Sequence, residues 1–213
     1  MMCKQCELNP VYEFTNKRKL CKNCFVNYFL KKLLYTIRKF KMIKTGDIIG
    51  YKKINTLKGV VLEDLLLFLK KKSGIELVKL PNKKANKIAS YSSIDSESTE
   101  IVNLIIEKNS LDLKKELPVE KNVIKPLYLF LDEEILLYAK IKNLKFKKVD
   151  SSISDFAQLS LPPTREEKNL FSQNRSQFQP PKKNKIANFI QEFEKKHPEV
   201  KRAVVNSLLE LYK

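Results

Sequence analysis

Residues 46–74 run GDIIGYKKINTLKGVVLEDLLLFLKKKSG. Gly46 and Asp47 break any helix entering from the N-terminal side, and Ile48 to Ile54 predicts a strand. Val60 to Lys72 predicts an apolar-faced helix that stops near Gly74. A strand followed at once by a helix is the unit from which parallel sheets are built, so this stretch sets the expected fold class as α/β.

Downstream the alternation continues. A helix is expected over Asn82 to Asn86, a strand over Lys87 to Ser92, and a helix over Ser96 to Lys108, with Ser96 or Asp95 available as its N-cap. After a polar stretch, Val123 to Leu127 leads into a helix from Asp132 to Lys142. Residues 160–185 hold the pairs Pro162-Pro163 and Pro180-Pro181 among Gln, Asn, Ser and charge, with little to bury. They predict a flexible polar linker or loop. The chain closes with a helix over Ile186 to Lys196, a break at His197-Pro198, and a helix over Glu199 to Tyr212. There is no internal repeat.

Upstream stand the four cysteines of the chain, Cys3, Cys6, Cys21 and Cys24, spaced C-x2-C-x14-C-x2-C. Two tight knuckles of this kind bring four thiolates to tetrahedral positions around an ion, and structural Zn2+ is the expected occupant. An iron–sulfur cluster, or two disulfides in an oxidising compartment, are the alternatives. Four thiolate ligands leave no open position for a catalytic water, so the metal is expected to hold shape. The intervening residues predict a hairpin around Val11 to Phe14 and Lys17 to Leu20, completing a zinc ribbon. From Phe25 to about Lys41, the apolar Val26, Phe29, Leu30, Leu33, Ile37 and Phe40 recur at helical spacing, with Lys31, Lys32, Arg38 and Lys39 on the other side. The expected organisation is therefore a zinc ribbon and basic helix at 1–44, an α/β domain at 45–159, a linker at 160–185, and C-terminal helices at 186–213.

The formal charge is +18, and residues 1–60 alone hold 14 Lys/Arg against 3 Asp/Glu. Such a field attracts polyanions, with a phosphate backbone first among them. Lys17, Arg18, Lys19, Lys22, Lys31, Lys32, Arg38, Lys39, Lys41 and Lys44 are the candidate RNA contacts, against the plainer reading of a solvated lysine face. No apolar run is long enough to span a bilayer, and the N-terminus lacks a signal-peptide core, so no membrane partner and a cytoplasmic location are expected. A content of 43% hydrophobic and 31% charged residues excludes a disordered tail. Triad chemistry lacks parts, because His197 is the lone histidine and every cysteine belongs to the knuckles. Asp132-Glu133-Glu134 is explained by the dipole of the helix it opens. Neither common nucleotide-binding glycine fingerprint occurs.

The double knuckle followed by Phe25-Val26-Asn27-Tyr28-Phe29 and by Ile37-Arg38-Lys39-Phe40-Lys41-Met42-Ile43 resembles the tRNA 2-thiouridine synthetases of the wobble-uridine thiolase group. Gly46-Asp47 and Ile48-Ile49-Gly50 also resemble that family, as do Ile124-Lys125-Pro126-Leu127, Glu133-Glu134-Ile135 and Tyr138-Ala139. The resemblance is best at 1–50 and 122–142. It implies a PP-loop parallel sheet of the adenine nucleotide alpha hydrolase type, reduced and degenerate, with a C-terminal helical pair around Phe189, Phe193, His197-Pro198 and Asn206-Ser207. The family's pyrophosphate-binding SGGxDS loop falls here on Ile54, Asn55, Thr56, Leu57, Lys58 and Gly59, which lack the paired glycines and hydroxyls. Its second nucleotide segment falls on Lys87-Ile88-Ala89 and on Ser92, Ser93, Asp95, Ser96 and Glu97.

A chain with this scaffold but without that loop or further cysteines resembles the cytoplasmic tRNA 2-thiolation protein 2 family. The resemblance implies a non-catalytic subunit, not itself an enzyme, that binds tRNA and an active PP-loop thiolase paralogue. A free-standing RNA- or ribosome-binding zinc protein, with ribosomal RNA as partner, is the second expectation. A residual ATP-dependent sulfurtransferase with a rebuilt nucleotide site at Lys58 and Asp95 is the third.

Overall fold

The computed structural model describes residues 2–147 and 183–212. The hairpin between the cysteine pairs forms from β1 (Tyr12–Glu13) and β2 (Lys19–Leu20), antiparallel, with Tyr12 opposite Leu20. Helix α1 (Lys22–Lys39) begins inside the second knuckle, so Cys24 rides on its first turn. It buries Phe25, Phe29, Leu33, Thr36 and Ile37, a single stripe at helical spacing.

Strand β3 (Ile48–Tyr51) is shorter than expected. After Tyr51 the chain turns into α2 (Leu57–Ser73), capped by the Thr56 hydroxyl accepting from the Gly59 amide and ended by Gly74 in the left-handed region at φ 61°. Gly50 has to be glycine, because a Cβ there would stand 2.7 Å from Leu80 Cδ2 and 2.9 Å from Ala85 Cβ. Strand β4 (Glu76–Lys79) was not expected, since Leu77 and Val78 are its only apolar residues.

The helix expected over Asn82 to Asn86 does not form. Its asparagines bond elsewhere: Asn82 Oδ1 accepts from the Lys84 amide at 2.9 Å, and Asn86 Oδ1 accepts from the Ile48 amide at 3.0 Å. β5 (Lys87–Ala89) ends before the expected Ser92, where Ser90 and Ser92 hydroxyls pair with each other. The cap of α3 (Ile94–Ile106) is Ser93, not Ser96 or Asp95; Ser96 instead reaches back to accept from the Ser93 amide at 3.0 Å. A 3-10 helix (Ser110–Glu116) occupies the polar stretch. It precedes β6 (Val119–Glu120), β7 (Val123–Ile124) and α4 (Asp132–Ile141). Residues 148–182, including most of the expected linker, lie outside the described residues. α5 (Lys183–Lys196) starts three residues before the expected Ile186, and α6 (Val200–Leu211) follows.

The main sheet runs β4-β3-β5-β7-β6, parallel throughout except for the edge pair of β6 and β7. β4 and β5 flank β3 on opposite sides, so the strand order reverses there. That switch point, at the carboxyl ends of β3 and β5, is the position where open α/β sheets form a ligand crevice. One core joins Cys3, Leu20, Phe25, Phe29 and Leu33 to Ile49, Leu62, Leu65, Leu66, Phe130 and Tyr138, so the cysteine hairpin and the sheet share their interior. A second, smaller core packs α3 against α6 through Ile94, Ile101, Leu104, Val205 and Leu208.

Candidate metal centre and basic face

The two knuckles converge. The four sulfur atoms of Cys3, Cys6, Cys21 and Cys24 all lie within 4.8 Å of one another, with Cys6 Sγ 3.2 Å from Cys21 Sγ and 3.6 Å from Cys24 Sγ. Around one tetrahedral Zn2+ with bonds of about 2.3 Å, sulfurs stand about 3.8 Å apart, so the four thiols fit a single ion. The Gln5 amide holds the Cys3 thiol down to about 6, and the Cys24 amide lowers that of Cys21, whereas burial pushes Cys24 up to about 12. Amides that stabilise thiolates are what a metal knuckle supplies.

Lys17, Lys22, Lys31, Lys41 and Lys44 are exposed, and none of them has an ion pair among the described residues. Arg38 and Lys39 are exposed in the last turn of α1, where Arg38 Nε donates to the Leu34 carbonyl and Lys39 lies 5.3 Å over the Phe40 ring. Lys19 pairs with Glu13 at 3.1 Å, and half-buried Arg18 stacks 4.9 Å from the centre of the Phe14 ring. Lys32 does not join this face. It turns inward to the fully buried Glu134 at 2.5 Å, and desolvation lowers its pKa. Its place between α1 and α4 explains why helical spacing alone misassigned it.

The carboxylates opening α4 do more than complement a dipole. Asp132 Oδ1 lies 3.0 Å from Lys58 Nζ and accepts from Ser93 Oγ, Glu133 accepts from Tyr12, and Glu134 accepts from Tyr28 at 3.0 Å as well as from Lys32. α4 thus ties the cysteine hairpin, α1 and the sheet crevice together. Spacing gave no signal for this, because partners 39 to 121 residues apart meet only through the fold.

At the crevice, Ile54, Asn55, Thr56, Leu57, Lys58 and Gly59 close as an ordinary helix cap. The Gly59 amide is taken by Thr56, and Lys58 Nζ is held by Ser93 Oγ at 2.8 Å, Ser96 Oγ at 3.3 Å and Asp132. A Cβ on Gly59 would stand 2.6 Å from the Ile54 carbonyl oxygen, so the loop is wound tightly on itself. These residues do not reproduce a phosphate cradle built from free amides. Asp95 is engaged too, accepting from the Asp132 amide at 2.8 Å and pairing with Lys201 of α6. A cleft of about 350 Å³ opens between Tyr12, Phe14, Asp95, Glu133, Glu194, Lys201 and Arg202, joining the hairpin to the C-terminal helices.

Four thiols clustered ahead of a mostly parallel sheet with a switch point define an α/β protein with a candidate metal site. The fold is that of a U34-tRNA thiolase: the chain matches NcsA from Methanococcus maripaludis, solved with its [4Fe-4S] cluster, at a TM-score of 0.69 and 16% identity, covering 99% of this chain and 87% of that one. No protein-family model matches the chain, nor does any curated protein sequence. The structural match corrects the expectation that the chain is not an enzyme. The solved structure whose fold it shares along nearly its whole length is an enzyme, and an altered crevice loop does not take a chain out of that fold. Among the described residues no helix is long and apolar enough to cross a membrane.

Proposed function

We propose that this protein acts in the 2-thiolation of wobble uridine in tRNA, binding tRNA through the basic face of its cysteine hairpin and α1. The observation that carries this reading is the near full-length likeness to a U34-tRNA thiolase. A charge of +18, concentrated at the cysteine end, supports a phosphate-backbone partner. We take the metal to be one structural Zn2+, because the sulfur separations suit a single ion and all four ligands are thiolates. The protein partner is a second PP-loop thiolase chain, and the site of action is the cytoplasm. Deleting the gene and resolving tRNAs for Lys, Glu and Gln on a mercury-containing gel tests the reading directly. Loss of the retarded, thiolated species is expected; unchanged thiolation together with no binding of tRNA to the purified protein would overturn it.

A further inference from the structure

The cleft between the cysteine hairpin and the C-terminal helices is not used by the metal centre. Its volume of about 350 Å³ lies in the range of small-ligand sites, about 300–1,000 Å³. One side is aromatic: Tyr12 and Phe14 stand edge to face, with ring centroids 4.9 Å apart at 84°. Asp95, in the first turn of the helix that follows β5, also lines it, so the cleft adjoins the switch point of the sheet. Most of its charged side chains are taken up by other pairs. Lys201 pairs with both Asp95 and Glu194, and Glu13 pairs with Lys19. Two are left to meet a ligand. Among the described residues Arg202 is half-buried without an ion pair, and Glu133 accepts a single hydrogen bond, from the Tyr12 hydroxyl at 3.4 Å.

We propose that this cleft takes one uracil ring turned out of an unpaired stretch of RNA. Tyr12 and Phe14 lie against the ring, the Arg202 guanidinium donates to its carbonyl oxygens, and the Glu133 carboxylate accepts from its N3–H. The proposal rests on the tRNA-binding reading and deepens it by naming the pocket for the base itself. A uracil edge runs acceptor, donor, acceptor, which a guanidinium beside a carboxylate complements. Proteins that act on an extruded base read it in this way, by its hydrogen-bonding edge and by contact with aromatic rings. The charge balance favours a neutral ring over a phosphate inside the cleft, since Glu13, Asp95, Glu133 and Glu194 line it against only Lys201 and Arg202. Phosphates are met outside. The turn after Phe14 is closed by the Lys17 amide donating to the Phe14 carbonyl at 2.9 Å, and it leaves Lys17 exposed two residues from Thr15, which lines the cleft.

The test uses the full-length protein and three RNAs: a hairpin with 5-iodouridine at the wobble position of its seven-base loop, the same hairpin with 5-iodocytidine there, and a blunt duplex without a loop. Irradiation joins an iodinated base to an aromatic ring packed against it, and mass spectrometry of the digest reads which ring. The uridine adduct is expected on Tyr12 or Phe14, and the cytidine adduct in a yield about fivefold lower, because cytosine reverses the donor and acceptor on its edge. Arg202→Gln, at a side chain with no ion pair to lose, is expected to weaken hairpin affinity about tenfold, leaving duplex affinity and melting temperature unchanged. No adduct, adducts confined to other residues, equal yields from the two bases, or wild-type hairpin affinity in the variant would each overturn the uracil pocket while leaving RNA binding intact. Equal losses of hairpin and duplex affinity would overturn it too, by making Arg202 a plain phosphate contact. Should the melting temperature of the variant fall, the wild-type adduct decides: on Tyr12 or Phe14 the pocket stands, and elsewhere it falls. Failure of the wild-type protein to bind any of the three RNAs would instead overturn the tRNA reading on which the pocket depends.

Discussion

At the scale of single residues, four buried ionisable side chains stand out, Glu134, Lys125, Glu97 and Glu116. Glu134 is fully buried and accepts from Lys32, Tyr28 and the Leu131 amide, so Lys32→Met would strand its charge in the interior. Breaking one side of such a pair costs about 3–5 kcal/mol. Denaturant titration is expected to show that loss, and a cost below about 1 kcal/mol would refute the inward assignment of Lys32. Lys125 Nζ lies between two buried carboxylates, Glu97 at 2.9 Å and Glu116 at 3.0 Å, while Glu97 Oε1 is buried without a partner. One cation cannot satisfy two such carboxylates, and burial pushes the Glu97 carboxyl up to about 8, from an ordinary value of 4.5. A folded-state pKa above the unfolded one means that the native state holds the extra proton between those values. Stability therefore falls as pH rises from about 4.5 to about 8. Glu97→Gln, neutral at every pH, is expected to flatten that slope by a kcal/mol or more in melts at pH 5 and pH 8; parallel wild-type and variant curves would refute it.

At the scale of elements, the cysteine hairpin has no core of its own. Leu20 and Cys21 pack in the same interior as Phe29, Leu65 and Tyr138. Removing the metal should therefore loosen the sheet as well as the hairpin. Cys21→Ser, or a strong chelator, is expected to remove about one zinc per chain by elemental analysis and to lower the temperature of a single cooperative melt. A separate early transition, with the main melt unmoved, would show that the hairpin is independent. Acid-labile sulfide in the purified protein would replace zinc by an iron–sulfur cluster.

The elements also show what could be read in advance. Strong local signals were legible: cysteine spacing gave the knuckles, the stripe from Phe25 to Ile37 gave α1, and Gly74 gave the end of α2. β4 was not, since its burial comes from pairing with β3 and α2 and not from its own alternation. Asn82 to Asn86 misled because asparagine side chains bonded to backbone amides compete with a helix. The role of Lys58 was half legible: its place at the crevice followed from the loop, but its partners Ser93, Ser96 and Asp132 arrive from two other elements.

At the scale of the whole molecule, the charge is distributed in a way that the fold sharpens. Acidic side chains are drawn into internal pairs, Glu134 with Lys32, Asp132 with Lys58, Asp95 and Glu194 with Lys201, and Glu97 and Glu116 with Lys125. Lys17, Lys22, Lys31, Lys39 and Lys41 are left facing solvent at the cysteine end. If these five cations each neutralise one phosphate, tRNA affinity is expected to fall by about two to three orders of magnitude between 50 and 200 mM salt. Reversing Lys31 and Lys39 to glutamate is expected to make that dependence shallower by about two contacts, without altering the melting temperature of an exposed face. Substituting Lys32 instead changes stability through Glu134 and leaves the salt slope alone, because its ammonium does not reach solvent phosphates. Affinity insensitive to salt, or a slope shifted as much by Lys32 as by Lys31, would mean that the RNA is held elsewhere than on the outward face of α1.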